Sequence, residues 1–340
     1  MKPKLFFLVI VLGVTWSSLA QIGGQSTYQF LNLPISPKIS ALGGKNVTSY
    51  SSDPANAMAN PALINFEMHN QLSTNYMNYF ADVNYGTASY AYDIGRRTQI
   101  LQAGVTYIDY GSFDGFDESG NSTAEFGGQE TAFSVGYARR IGRTDFYAGA
   151  NLKLISSKLE QYTSFAGALD LGLSYIYSEW DLVISGVMRN AGFQFKAFND
   201  VRESMPFEVI LGISQKLKKA PIRWHITLEN LQEWNIAFRN TARDVQDLSG
   251  NVTADDPGFI NNALQHAILG AELFPDGVFS IQLGYNFRRG EELRIQDQRA
   301  FSGLTGGVSI RFNKLRFSYS YAQFNRGASS SFFGLNIDLQ

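Results

Sequence analysis

Residues 163–178 read TSFAGALDLGLSYIYS. Phe165, Leu169, Leu171, Leu173, Tyr175 and Tyr177 fall on odd positions, and Ala166, Ala168, Asp170, Gly172 and Ser174 on even ones. Successive side chains of a strand point to opposite faces, so this pattern builds a strand with one apolar and one small or polar face. The same period returns further along the chain. Ile222, Trp224, Ile226 and Leu228 oppose Arg223, His225, Thr227 and Glu229, and Phe279, Ile281, Leu283, Tyr285 and Phe287 oppose Ser280, Gln282, Asn286 and Arg288. Leu315, Phe317, Tyr319 and Tyr321 then oppose Arg316, Ser318 and Ser320, while Phe333, Leu335, Ile337 and Leu339 oppose Asn336 and Asp338.

Turn formers divide the chain into fourteen candidate strands near 71–80, 82–94, 98–110, 128–141, 145–158, 163–178, 180–192, 206–217, 221–232, 264–274, 278–288, 301–312, 315–325 and 330–340. Tight connections at 95–97, 142–144, 178–179, 218–220, 275–277 and 313–314 alternate with others that are mostly longer, at 111–127, 193–205, 233–263 and 289–300. An even strand count with short turns on one rim and long loops on the other is the plan of an outer-membrane barrel. After the first twenty residues no apolar run approaches the roughly 20 residues of a spanning helix, and only helices and closed barrels satisfy the backbone in lipid. The expected fold is therefore all-β: a transmembrane antiparallel β-barrel over 71–340, its strand ends at both termini on the short-turn, periplasmic side and its long loops exterior.

Charge placement agrees. A basic residue facing lipid at mid-depth costs about 2–4 kcal/mol, and Lys153, Arg223, Arg311 and Arg316 all fall on the polar phase. The pairs Arg96-Arg97 and Arg139-Arg140 sit beside tight turns, where a long side chain reaches the interface. A soluble sandwich would impose no such rule. Tyr107, Tyr110, Tyr175, Tyr177, Trp180, Phe287, Tyr321 and Phe324 lie near strand ends, as interfacial girdles require.

Composition is consistent with that reading. Of 340 residues 17% are charged, against about 25% in soluble domains, and 14% are aromatic. The mean hydropathy of -0.13 averages over two opposed faces. A net charge of -2 offers no polyanion-binding surface, and zero cysteine excludes disulfides and cysteine-built metal or redox sites.

Residues 1–20 read as a signal peptide: a basic start at Lys2 and Lys4, an apolar run from Leu5 to Trp16, and a Ser18-Leu19-Ala20 cleavage site. Residues 21–70 do not alternate. Leu31, Leu33, Ile35, Ile39 and Leu42 are too apolar for a free tail, so a packed lumen plug is expected there. Asn60-Pro61 starts the turn that leads into the first strand.

The same segment carries Gly23-Gly24, Phe30-Leu31-Asn32-Leu33-Pro34, Ala41-Leu42-Gly43-Gly44, Asp53 and Asn60-Pro61-Ala62-Leu63. This combination resembles the PorQ family of the type IX secretion system, which belongs with PorV in the FadL-like barrel superfamily. The Ala-Leu-Gly-Gly and Asn-Pro-Ala pieces are general to the superfamily, and the Phe-Leu-Asn-Leu-Pro piece is the narrower cue. Ser36-Pro37-Lys38 departs from a Ser-Ala-Arg-type sequence while keeping the basic position. The resemblance implies a non-enzymatic outer-membrane barrel that tethers a surface attachment complex of PorZ-like, PorU-like and PorV-like partners.

No enzyme motif stands out, and no cofactor is expected. His225 and His266, on polar phases of adjacent expected strands, are candidate lumen residues with Arg223, Glu229 and Glu272, either as an acid-base or metal pair or as ordinary wet-lumen groups. The stretch Asp114 to Asn121 lacks the alternating oxygen ligands of a calcium loop. In the longest loop, Trp234, Phe238, Leu248, Phe259 and Ile260 form a candidate exterior partner-binding surface, unless they simply pack the loop over the barrel mouth. A FadL-like transporter of long-chain fatty acids or other hydrophobic compounds is the alternative function. It calls for an apolar pocket beneath the loops and a lateral opening near Gly306-Gly307.

Overall fold

In a computed structural model of the chain, the described residues are 26–95, 99–117, 119–199, 201–237, 245–246, 252–253, 258–293, 303–324 and 329–340. Fourteen antiparallel strands close into a barrel. In chain order they are β1 (Gln71–Phe80), β2 (Val83–Asp93), β3 (Ile100–Phe113), β4 (Phe126–Arg140), β5 (Phe146–Leu159), β6 (Tyr162–Tyr177), β7 (Leu182–Lys196), β8 (Glu208–Lys216), β9 (Ile222–Leu228), β10 (Ala267–Leu273), β11 (Phe279–Asn286), β12 (Leu304–Phe312), β13 (Leu315–Ala322) and β14 (Ser330–Asp338). Each strand pairs with its sequence neighbours, and β1 closes on β14 from Gln71↔Asp338 to Asn78↔Ser331.

The boundaries differ most at β9 and β10, which stop short of the expected 221–232 and 264–274. Asn230 turns the chain out of the sheet with a left-handed φ of 56°, and Phe259–Gln265 winds into a helix instead of extending β10. At the other extreme β3 to β7 run 14 to 16 residues.

Period two sets the two faces. Along β4 to β6, Phe133, Val135, Leu152, Leu154, Leu171 and Leu173 are exposed, while Ser134, Asn151, Lys153, Asp170 and Ser174 are buried. The apolar face therefore points outward over the whole belt, which suits lipid and not water. Arg311 and Arg316 pair across β12 and β13 next to the short Asn313-Lys314 turn, at the rim rather than deep inside.

The N-terminal segment lies against the inward faces. It contains α1 (Pro37–Ala41), α2 (Ala55–Ala59) and single turns at Gln29–Asn32, Pro61–Leu63 and Phe66–Met68. Helix α1 packs on β11 to β14, α2 on β2 to β4, and Pro61–Leu63 on β4 to β6. Thr27 N–H donates to Ser204 O (3.1 Å) in the connection before β8, and His69 Nδ1 accepts from Asp93 N–H (3.0 Å) at the end of β2. The segment thus runs the height of the barrel, from the long-connection rim down to the short-turn rim.

Wall glycines mark where its backbone touches the strands. A Cβ on Gly284 would lie 2.2 Å from Gly43 N, one on Gly149 2.4 Å from the Pro61 carbonyl carbon, and one on Gly172 2.4 Å from Asn60 Oδ1. Side chains at these three positions would displace the segment.

Candidate functional site

The N-terminal motifs are local devices that place the segment. Ser36 Oγ accepts from Ile39 N–H (3.4 Å) and Pro37 occupies the first turn, so Ser36-Pro37 starts α1. Gly43 and Gly44 end it at φ of +100° and +95°, a conformation that favours glycine. Thr305 then fixes the helix end, donating to Ala41 O (2.8 Å) and accepting from Gly43 N–H (3.1 Å). Leu42 is fully buried. Asp53 Oδ1 accepts from Ala55 N–H (2.9 Å) at the start of α2, and burial pushes the Asp53 carboxyl above the usual carboxylate range. Asn60 accepts from Ala62 N–H (2.9 Å) and donates to Val47 O (2.7 Å) and Ser174 Oγ (3.1 Å), which pins Asn60-Pro61-Ala62 to β6.

Charged groups hold the same segment to the shorter strands. Lys38 Nζ lies 2.9 Å from Glu272 Oε2 on β10, so the basic position serves a wall carboxylate. Glu272 Oε1 also meets His225 Nε2 at 2.8 Å. Asn46 Nδ2 donates to His225 Nδ1 (3.0 Å), leaving Nε2–H to donate to Glu272. Lys45 pairs with Glu208 and, at 3.0 Å, with Glu229 Oε2. Glu229 further accepts from Asn286 Nδ2 (3.2 Å). These carboxylates are buried, and each meets a cation of the segment, the arrangement a buried charge requires.

The two histidines are not brought together. His225 stands opposite Gly270 in the β9–β10 register, whereas His266, beyond the end of β10, points its Nδ1 at Glu229 O (2.7 Å) and its Nε2 at Trp234 O (3.1 Å). They serve two separate networks, and His266 meets the Glu229 backbone instead of its carboxylate. Arg223 lies half-buried, opposite Glu272 in the register. Among the described residues no group of three or more His, Cys, Asp or Glu is arranged to hold a metal.

A second region lies near the long-connection rim. Tyr28, Phe30 and Leu31 of the segment are buried with Met77, Tyr85, Ile108, Ile155, Met205 and Phe332 in one apolar cluster, and Leu33 packs against it. Pro34 is buried. The Tyr28 hydroxyl bonds Ser164 and accepts from Gln194 Nε2 (3.3 Å), and Arg189 Nη2 donates to Leu31 O (2.9 Å). The gap enclosed by Leu33, Ile39, Lys45, Val47 and Arg189 measures about 10 Å³, no more than one water fills. Grooves of about 480 and 410 Å³ lie instead on the outward face, beside Tyr76, Phe317 and Phe333 and beside Leu173, Ile184 and Leu211.

The expected lateral opening near Gly306-Gly307 is not there. Both residues sit in unbroken register with β11 and β13, because glycine is readily paired in a regular ladder. Register shifts lie elsewhere in the wall, at Asn78/Phe80, Asp109/Ser112, Phe165/Ala166 and, in mid-strand on β6, between Leu169 and Leu171. There Asn190 has a φ of 57° and donates its N–H to Asp170 Oδ1 (2.8 Å), and Lys153 bridges Asp170 (2.7 Å) and Asn190 Oδ1 (2.8 Å).

Of the loop residues, Trp234, Phe259 and Ile260 are exposed. Phe238, Leu248, Gly23 and Gly24 lie outside the described residues, as do residues 1–20, where a signal peptide is expected. Sequence reasoning missed Lys45, Glu208, Tyr28 and the wall glycines. Glycines at positions 149, 172 and 284, on the inward phase of otherwise regular strands, were the available signal.

No family model matches the sequence, and no curated protein matches it. Solved structures do. The TodX monoaromatic hydrocarbon channel, as a deltaS2 mutant, aligns with a TM-score of 0.52 at 14% identity, covering 88% of this chain and 96% of that one. A Pseudomonas aeruginosa FadL homologue aligns with a TM-score of 0.51 at 9% identity, covering 90% and 98%. On closed topology, outward apolar face and these alignments, the chain has the fold of the FadL-type outer-membrane barrels.

Proposed function

We propose that this protein is an outer-membrane barrel that takes up small hydrophobic compounds and is closed, as described, by its own N-terminal segment. The observation that carries the reading is the apolar cluster near the long-connection rim, where Tyr28, Phe30 and Leu31 fill the space among Met77, Tyr85, Ile108 and Phe332. A concave apolar site with a few polar groups, here Ser164, Gln194 and Arg189, is the ordinary form of a small-molecule site. The chemistry it fits is a small hydrophobic compound, and the TodX channel is described as one for monoaromatic hydrocarbons. Entry requires the side chains of the segment to withdraw, since Tyr28, Phe30 and Leu31 are buried against the wall side chains of that cluster. Titrating toluene into the purified barrel and into Phe30→Ala tests this. Tighter binding by the variant is expected, and binding by neither protein overturns the reading.

A second reading follows from the ion pairs. A segment held by Lys38–Glu272 and Lys45–Glu229 suits a barrel that stays shut and acts as a surface tether, as the PorQ-like motifs imply. Its partners would be the PorZ-like, PorU-like and PorV-like proteins of a type IX attachment complex. Copurification after mild detergent extraction tests it, and recovery of the barrel without a PorZ-like partner counts against it.

A further inference from the structure

Helix α3 (Phe259–Gln265) is amphipathic with its faces reversed. Asn262 and Gln265 are 4% exposed, whereas Phe259 is 73%, Ile260 74% and Leu264 44% exposed. Polar bonds hold the inner face: Asn262 Oδ1 accepts from Ala237 N–H (3.0 Å), and its Nδ2 donates to Trp234 O. The Trp234 ring stacks on His266 (centroids 5.4 Å) and meets Phe259 (5.0 Å), so it joins the outer apolar face. A water-facing helix would show the opposite pattern.

The wall beneath it accounts for this. Strands β9 and β10 have 7 residues each, and flanking backbone bonds, Glu229 N–H to His266 O (2.9 Å) and Phe274 N–H to Pro221 O (2.7 Å), carry their pairing over 221–229 and 266–274. A strand that crosses a bilayer needs about 9–11 residues at a tilt near 45°. At about 3.3 Å per residue and that tilt, roughly nine paired positions rise about 21 Å, a few Å short of the apolar band of about 25 Å. Helix α3 leads directly into β10 at His266, at the top of this short wall. The outward-facing Ile226 and Leu269 below it, both exposed, continue into Trp234, Phe259, Ile260 and Leu264.

We infer that α3 and Trp234 are a membrane element: they lie in the lipid leaflet at the long-connection rim and complete the apolar belt where β9 and β10 are too short to do so. The occupant of this face is lipid acyl chain, and not a protein partner. The inference does not depend on what the barrel transports or tethers.

The test uses the full barrel in phosphatidylcholine vesicles. Trp16 lies in the leader, so Trp180→Phe with Trp224→Phe leaves Trp234 as the reporter. An interfacial apolar face sits about 5–10 Å into the headgroup and acyl boundary, so brominated acyl chains should quench Trp234 about twofold while acrylamide barely reaches it. Quenching by acrylamide with no effect of bromine overturns the inference, as does protection from both, which would mean that protein covers the face. If that double variant does not fold, the absence of cysteine allows a spin label at Ile260→Cys. Its collisions with oxygen should exceed those with a water-soluble nickel chelate. A label at Phe116→Cys, in the loop above the tall β3–β4 wall, should show the reverse, and the same nickel-dominated ratio at both sites would refute the idea.

Discussion

Strands β3 to β7 run 14 to 16 residues and pair two buried charges within the wall, Lys153 on β5 against Asp170 on β6. Strands β8 to β11 run 7 to 9 residues and hold theirs against the N-terminal segment, Glu272 with Lys38 and Glu229 with Lys45. The tall side has the longer ladders, and therefore more backbone bonds per strand. The short side has fewer, and its inward carboxylates lie nearest the lysines of the segment, with Arg288 Nε farther from Glu229 at 3.7 Å. The two halves therefore hold the segment by different means, the short one through ion pairs and the tall one through hydrogen bonds and apolar packing, as at Asn60 with Ser174 and Arg189 with Leu31.

Removing one partner of a buried pair on the short side is the strongest way to break that comparison. Lys38→Ala strands Glu272 beside His225, and loss of about 3–5 kcal/mol is expected. Hydrogen exchange should rise in β8 to β11 and stay low in β3 to β6. Equal opening of both halves would show that the segment supports the whole ring. Next in size is Gly284→Ala, whose added methyl meets Gly43 N. Overpacking of this kind costs about 1–3 kcal/mol, read as a lower unfolding midpoint in denaturant, with α1 the first element to gain protease sensitivity. An unchanged midpoint would mean that the segment yields easily.

A pH-dependent contrast comes from Asp53. Burial, opposed by bonds from Ala55 N–H, Ser73 and Asn336, raises its carboxyl pKa. A raised acid pKa favours the fold while the carboxyl is protonated, below its unfolded value, and that advantage is lost as pH rises through the folded value. Asp53→Asn keeps the capping oxygen and removes the charge. The variant should match the wild type in acid and exceed it at neutral pH, as melting curves at the two pH values would show. The smallest effect is expected at Arg140→Ala, whose exposed pair with Asp145 (2.9 Å) contributes about 0–1 kcal/mol. A loss there as large as for Lys38 would remove the distinction between buried and rim charge.

The barrel itself was legible because lipid enforces period two so strictly. Fourteen strands and the inward phase of Asp170, His225, Glu229 and Glu272 can all be read from alternation. What could not be read is what faces these groups across the interior. Lys38 and Lys45 lie in a segment without periodicity, so nothing local ties them to carboxylates more than 160 positions away. Alternation likewise overextended β9 and β10, since Asn230 and the reversed faces of α3 break the ladder by turn chemistry and burial. The apolar residues of the longest loop stand out in the sequence, but their place at the edge of a short wall is a fact of three dimensions.

The path of the N-terminal segment also limits the room inside the wall. Its first described residues reach the long-connection rim at Ser204, while its last join β1 at the short-turn rim. Pairing β14 with β1 completes the ring, so the closed wall encircles a stretch of its own chain that spans its height. Gly149 on β5, Gly172 on β6 and Gly284 on β11 are the points where the wall gives that stretch room, so the width left for anything else inside is set by residues that have no side chain to withdraw.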